Sequence, residues 1–270
     1  MLWNAQNDTV ELDGDEMDYV RFGTGARTLV MLPGLGDGLH TVRGMALPLA
    51  AMYRCFARGF TVYVFSRRRS LPRGYTTRQM AADQADAMDR LGLGAACVVG
   101  VSQGGMIAQW LAIDHPEKVH RLVLTVTAPC ANALMDQVIT EWMSLARAGD
   151  HIGLMRSNLH AIYTPEYVQR SEWLVPAAGV VSKPRSYERF FAMAEACLSH
   201  NALAELWRIR CPVLVVGGEK DHVLTGQASR ELARYIPRAR LKMYPQYGHG
   251  LYEEAGDFLR LVMRFFQVKP

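Results

Sequence analysis

The sequence predicts an α/β protein: a mostly parallel sheet with helices on both faces and one helical insertion. Three observations carry this. Short, continuous apolar runs of strand length recur along the chain and alternate with helical patterns, as in a sheet buried on both sides. Glycine-rich turns follow the runs at 28–32 and 97–101. One interval, 128–210, breaks the alternation, with helical patterns rich in Met, Trp, Tyr and Phe and no convincing strand.

Each element follows from local chemistry. "TVEL" and "MDYVRF" flank "DGDE", whose Asp13-Gly14 pair marks a hairpin turn. "TLVML" (28–32) runs into "PGLGDG", and a helical stretch is expected from there to about residue 57. "TVYVF" (61–65) is the next strand. Thr76 or Thr77 caps a helix that runs to Leu91, where Gly92 and Gly94 stop it. After "CVVGV" (97–101) comes a helix with Met106, Ile107, Trp110 and Leu111 on one face, ended by His115-Pro116. "RLVLTVT" (121–127), "PVLVVGG" (212–218) and "RLKMYP" (240–245) are further strands. A last helix carries Phe258, Leu259, Val262, Phe265 and Phe266.

A chain of 270 residues buries a core without staples, as one large domain or one domain with an insertion. The net charge of +4 is small and scattered, which argues against a nucleic-acid partner. Five cysteines without regular spacing read as free, buried thiols in a reducing compartment. No basic-then-apolar leader and no membrane-length apolar run is visible, so a cytoplasmic protein with no membrane partner is expected. Oligomeric state is not legible, and a homodimer is carried only as a default.

Gly100-Val101-Ser102-Gln103-Gly104 fits G-x-S-x-G, a pattern too short to carry weight by its letters alone. Its setting is more telling, because it follows an apolar strand and opens a helix, as a nucleophile elbow requires. There the serine takes a strained backbone conformation, and Gly100 and Gly104 leave room for the sharp turn. The bland alternative is a serine capping an ordinary helix. A serine hydroxyl needs a base, and His249 in "YGHG" lies just past the last strand, presented between two glycines. His222 is its main competitor; His40, His115, His120, His151, His160 and His200 read as packing or surface residues. Asp221, past the end of the "PVLVVGG" strand, is the candidate acid to orient the imidazole, with Glu219 as the fallback. Ser102, Asp221, His249 is one of the chain orders in which this constellation recurs. The amide of Gln103 at a helix N-terminus and the amide of Leu35 in "LPGLGDG" would hold the oxyanion. A phosphate-cradling turn is the alternative for that loop, but neither G-x-G-x-x-G nor GK[ST] is present.

With these residues in place the chain resembles the α/β-hydrolase superfamily over nearly its whole length. It is most similar to the small bacterial carboxylesterase, enol-lactonase and haloperoxidase-like branch. "GVSQGG", "GGEKD", "YGHG" and "IDHPEKVHRLVLTV" carry the likeness. The resemblance implies a hydrolase core over 1–127 and 211–270, with a helical cap over 128–210 inserted after the sixth core strand. It implies Ser102, Asp221 and His249 as catalytic triad and the Leu35 and Gln103 amides as oxyanion hole. No metal and no organic cofactor is implied, and the substrate class is a small or medium ester, lactone or thioester. A ligand-binding protein on the same fold, a C–C bond hydrolase and an acyltransferase stay open beside it.

Two departures stand out. Relatives often carry His-Gly where this chain has Pro33-Gly34, and after "TVYVF" they usually carry an Asp and a D-x-x-G-x-G-x-S run where this chain reads "SRRRSLPRGYTT". The Arg67-Arg68-Arg69 run, with Arg73, reads as an anion site or, preferably, as a solvated loop paired with nearby carboxylates. Trp142, Tyr163, Tyr167, Trp173, Phe190 and Phe191 are expected to pack the cap, with one or two lining an apolar pocket.

Overall fold

The computed structural model describes residues 2–267. Its strands are β1 Gln6–Leu12, β2 Asp15–Phe22, β3 Arg27–Leu32, β4 Phe60–Arg68, β5 Ala96–Val101, β6 Val119–Thr125, β7 Val213–Gly218 and β8 Ala239–Tyr244. They form one eight-stranded sheet in the order β1-β2-β4-β3-β5-β6-β7-β8. β1 pairs antiparallel with β2 and β2 with β4; every later pairing is parallel. The Asp13-Gly14 hairpin forms as read, with both residues at positive φ (49° and 84°) and Leu12 opposite Asp15.

The helices are α1 Ala46–Met52, α2 Thr77–Arg90, α3 Gln103–Asp114, α4 Ala133–Arg147, α5 His151–Ile162, α6 Pro165–Ser171, α7 Val175–Val181, α8 Glu188–Leu198, α9 Gly226–Tyr235, α10 Leu251–Glu254 and α11 Phe258–Gln267. Successive strand residues feed opposite cores. Val98, Val30 and Leu122 face α2, α3 and α9, whereas Cys97, Leu29 and Val123 face α1, α10 and α11. Both faces are covered, which is why the strands read as unbroken apolar runs. Helices α4–α8 all lie between β6 and β7, in the stretch where no strand was predicted. Among the described residues, no helix is long and apolar enough to cross a membrane.

Three elements differ from the sequence reading. The helix expected to reach about residue 57 is only α1, because Gly44 adopts φ 84° and the chain passes through turns on both sides. Asn7 of β1 accepts the Gly44 and Ala46 amides, fixing where the helix starts. Helix α2 begins as read, under a Thr76–Gln79 capping box. Helix α3 reads as one-faced but is buried from Gln103 to Ile113, with α2 and the turn Leu203–Arg208 packed on its flanks. Strand β4 continues through Arg68 because β2 pairs with it that far, Met17 opposite Arg68. The five cysteines are free, and two of them, Cys97 and Cys197, are buried.

His200 packs as a core histidine. It sits edge-on to Trp110, its Nδ1 2.9 Å from Thr77 Oγ1, and burial pushes its pKa down to about 3. Above about pH 6.5 the ring is neutral folded or unfolded. Below that, the unfolded chain binds a proton the folded chain refuses, so stability falls as pH drops, by about 1.4 kcal/mol per unit until about pH 3. His200→Gln is therefore expected to lose less stability than the parent between about pH 7.5 and about pH 5. Urea midpoints at the two pH values measure this, and equal slopes contradict it.

Candidate active site

The site lies where the chain changes direction across the sheet. From β3 the chain crosses to β4 on one side, and from β5 to β6 on the other, so the loops leaving these neighbouring strands diverge. A crevice at the carboxyl ends of such strands is where α/β sheets bind ligands. The register Val101–Thr125–Val216–Lys242 aligns those ends across β5, β6, β7 and β8. Ser102, Asp221 and His249 follow β5, β7 and β8 on this one edge.

Ser102 is half-buried, with φ 53° and ψ −120°, a strained pair of angles for a residue with a side chain. Its N–H donates to Thr125 O at 2.9 Å, so the neighbouring strand holds the turn. The glycines are required by close approach. A β-carbon at Gly104 would lie 1.9 Å from Leu32 O, and one at Gly100 would lie 2.5 Å from Gly104 O. Gly105, not singled out in the sequence, packs equally tightly on Thr127 (2.6 Å). Gly104→Ala is expected to cost about 3 kcal/mol or more, or to leave no folded protein, because backbone must move. A wild-type denaturation midpoint in that variant contradicts the geometry.

The loop after β3 passes beside the serine: a β-carbon at Gly34 would lie 3.3 Å from Ser102 Cβ and 3.8 Å from Oγ. Leu35 is buried there and opens a short 3-10 turn, Leu35–Gly38. Among the described residues, neither the Leu35 nor the Gln103 amide has a backbone acceptor.

Asp221 and His249 are joined. His249 Nδ1 lies 2.9 Å from Asp221 Oδ2, and both residues are buried. Asp221 Oδ1 accepts the Val223 amide at 2.8 Å and the Leu224 amide at 2.9 Å. Burial alone would raise the Asp221 pKa. The His249 ring and the two backbone donors outweigh it and hold the carboxyl below its ordinary value. Glu219 instead pairs with Arg230 near the surface, and His222 is exposed. The other histidines have other surroundings: His40 meets Ser182 O, His151 meets Ser182 Oγ, and His160 meets Glu172. His115 lies 3.9 Å from Glu117, and His120 is exposed. A further thiol near the elbow, Cys197, is pushed up to about 12 by burial, so it stays protonated at neutral pH.

Several contacts around the site are not legible in the sequence. The Gln103 side chain is buried, and its Nε2 donates to Met193 O (2.6 Å) and Cys197 Sγ (3.1 Å) of α8. Asp37 is a buried hub, accepting Ser66 Oγ (2.6 Å), the Arg67 amide (3.0 Å) and Arg189 Nη2 (2.5 Å). The basic run pairs with carboxylates as expected, but contrary to the expectation of a solvated loop Arg67 is buried. Arg67 is 1% exposed, inside β4, with its guanidinium on Pro33 O (2.5 Å). Burial lowers its pKa to about 10, opposed by Asp37 and aided by Arg189. Arg68 pairs with Asp83, and Arg69 with Asp18 and Glu16. Ser66 lies where "SRRRSLPRGYTT" departs from the expected pattern, and it donates to the carboxylate of Asp37. That departure was the one available signal.

These features define an α/β-hydrolase fold, and comparison with known proteins agrees on the fold. A family described as "alpha/beta hydrolase fold" matches residues 27–153. The chain is 30% identical over 201 residues to 2-hydroxymuconate semialdehyde hydrolase of Pseudomonas putida, covering 71% of this chain and 69% of that protein. It is 27% identical over 241 residues to 3-oxoadipate enol-lactonase 2 of Acinetobacter baylyi, covering 87% of each. An alpha/beta hydrolase enzyme from a Medee basin deep-sea metagenome library has a similar structure. The TM-score is 0.84 at 20% identity, covering 97% of this chain and 98% of that one. The chain belongs to the α/β-hydrolase superfamily, in its small bacterial branch.

Proposed function

We propose that this protein is a serine hydrolase that cleaves a small or medium carboxylic ester or lactone through an acyl-enzyme. The observation that carries the reading is the buried Asp221–His249 hydrogen bond, on the same sheet edge as a serine held in an elbow. Asp221 keeps Nδ1 protonated, which leaves Nε2 free to act as base. Ser102 Oγ attacks the carbonyl carbon as His249 takes its proton, and the oxyanion is held by the Leu35 and Gln103 amides. The imidazolium then gives its proton to the leaving alkoxide. Water, deprotonated by His249, attacks the acyl carbon; the acyl–Oγ bond breaks as His249 returns that proton to Ser102 Oγ, and the acid is freed. Helices α4–α8 serve as the cap that walls the acyl pocket. The similarity to an enol-lactonase over most of the chain supports a lactone or ester substrate.

A panel of aryl esters of increasing acyl length, with lactones and thioesters, tests this alongside a fluorophosphonate label mapped by peptide mass. Hydrolysis above buffer on at least one member, with the label on Ser102, is the expected result. Background rates on every member, together with tight binding of an ester analogue, favour a binding protein on the same fold instead.

A further inference from the structure

Of the two amides proposed to hold the oxyanion, Gln103 is set by helix α3, whereas Leu35 depends on a loop. The loop turn closes when the Asp37 amide donates to Gly34 O (3.2 Å), so Leu35 is oriented by whatever fixes positions 33 to 37. Two arginines fix them, Arg67 fully buried and Arg189 partly so. Arg67 grips Pro33 O from β4. Arg189, in the first turn of α8, bonds both the carboxylate and the main-chain carbonyl of Asp37. Its remaining donors reach Arg68 O (2.9 Å) and Arg67 O (3.1 Å), tying the loop to the end of β4. A planar five-donor fork meets four acceptors at once, which an ammonium group cannot do. The seat is tight: a β-carbon at Gly38 would lie 2.8 Å from Phe190 Cα of α8. The same helix accepts the Gln103 side chain through Met193 O. One helix of the inserted segment therefore touches the residues behind both amides.

We propose that Arg189 is a positioning residue for the oxyanion hole: through Asp37 it sets the direction of the Leu35 amide, making helix α8 a working part of the site. This rests on the triad reading above. A donor held out of line costs most where negative charge develops, so the loss falls on the transition state and hardly on substrate binding. Removing one oxyanion donor costs about 100- to 1,000-fold, and displacing it by a fraction of an ångström should cost about 10- to 100-fold.

The test compares the wild-type chain with Arg189→Gln, Arg189→Lys and Asp37→Asn, each normalised to the sites titrated by a fluorophosphonate. Arg189→Gln is expected to lower kcat per titrated site about 10- to 100-fold with KM changed less than about threefold. Affinity for an ester-like trifluoromethyl ketone, which forms an oxyanion on Ser102, should weaken by the same factor as kcat/KM. Affinity for the product alcohol should stay put. Arg189→Lys should recover part of the loss, and Asp37→Asn combined with Arg189→Gln should cost less than the two added. A folded variant with wild-type kcat per titrated site and wild-type ketone affinity overturns the proposal. So does a loss explained wholly by fewer titratable sites, which marks a folding role. If Arg189→Gln fails to fold, Arg189→Lys decides on the same readings. A wild-type chain that neither hydrolyses esters nor labels on Ser102 sinks the triad reading, and this inference with it. An active wild type with equally active variants sinks this inference alone.

Discussion

Ser102→Ala is expected to lower kcat on any ester the wild type turns over by about a millionfold, leaving only the residual rate of a preformed oxyanion hole. The reason is that the methyl group offers no atom to attack the carbonyl, so no acyl-enzyme forms. Little else should change. Ser102 has no side-chain capping bond to lose, and its backbone stays anchored to Thr125 O. Alanine at φ 53° is as strained as serine, so the melting temperature should move little. Single-turnover kinetics with an activated aryl ester is the decisive measurement. A burst of alcohol in Ser102→Ala, or turnover near that of the parent, refutes Ser102 as nucleophile.

Asp221→Asn should cost about ten-thousandfold in kcat while leaving the fold in place. The side-chain oxygen facing Val223 and Leu224 can still accept both amides, so the turn after β7 remains formed. What changes is the atom facing His249 Nδ1. An amide nitrogen donates there, favours the tautomer with the proton on Nε2, and blocks that nitrogen from accepting the serine proton. The charge that stabilises the imidazolium is lost as well. The sign of the pH effect follows from the lowered Asp221 pKa. The carboxylate's contribution to stability is present above the ordinary aspartate value and lost as pH falls through the lower folded value. Unfolding of the parent should accordingly steepen in acid more than that of Asp221→Asn. A variant that keeps more than about a tenth of wild-type kcat argues that Asp221 does not orient the base. Combining Asp221→Asn with Ser102→Ala should add almost nothing to the serine variant alone, because the residues act as one unit.

The legible parts share one property: their physics is confined to a few adjacent residues. The Asp13-Gly14 turn, the Thr76 cap and the glycines around Ser102 each answer a local steric or hydrogen-bonding demand that their neighbours in sequence pose. Asp221 and His249 could be nominated because both follow apolar runs, and strand ends collect on one edge of a parallel sheet. Helix α3 shows where this reasoning fails. Its apolar face was visible, but burial all round comes from α2 and the Leu203–Arg208 turn, which no local pattern announces. The basic run fails for the same reason. Three consecutive arginines look like a solvated loop until the fold brings Asp37 against Arg67, Asp83 against Arg68, and Asp18 with Glu16 against Arg69.

The order of residues is enough to specify the alternation of strands and helices, the sharp turn at Ser102, and the candidate acid and histidine that follow it, because backbone sterics and apolar periodicity act over a few residues. Which histidine meets the acid is settled only in space, where His249 Nδ1 closes on Asp221 while His222 turns to solvent. The contact of buried Asp37, Ser66 and Arg67 with partly buried Arg189 likewise exists only once β3, β4 and α8 have come together. Charges are tolerated in such a place only when partners from distant segments arrive with them, and that pairing is a property of the packed chain.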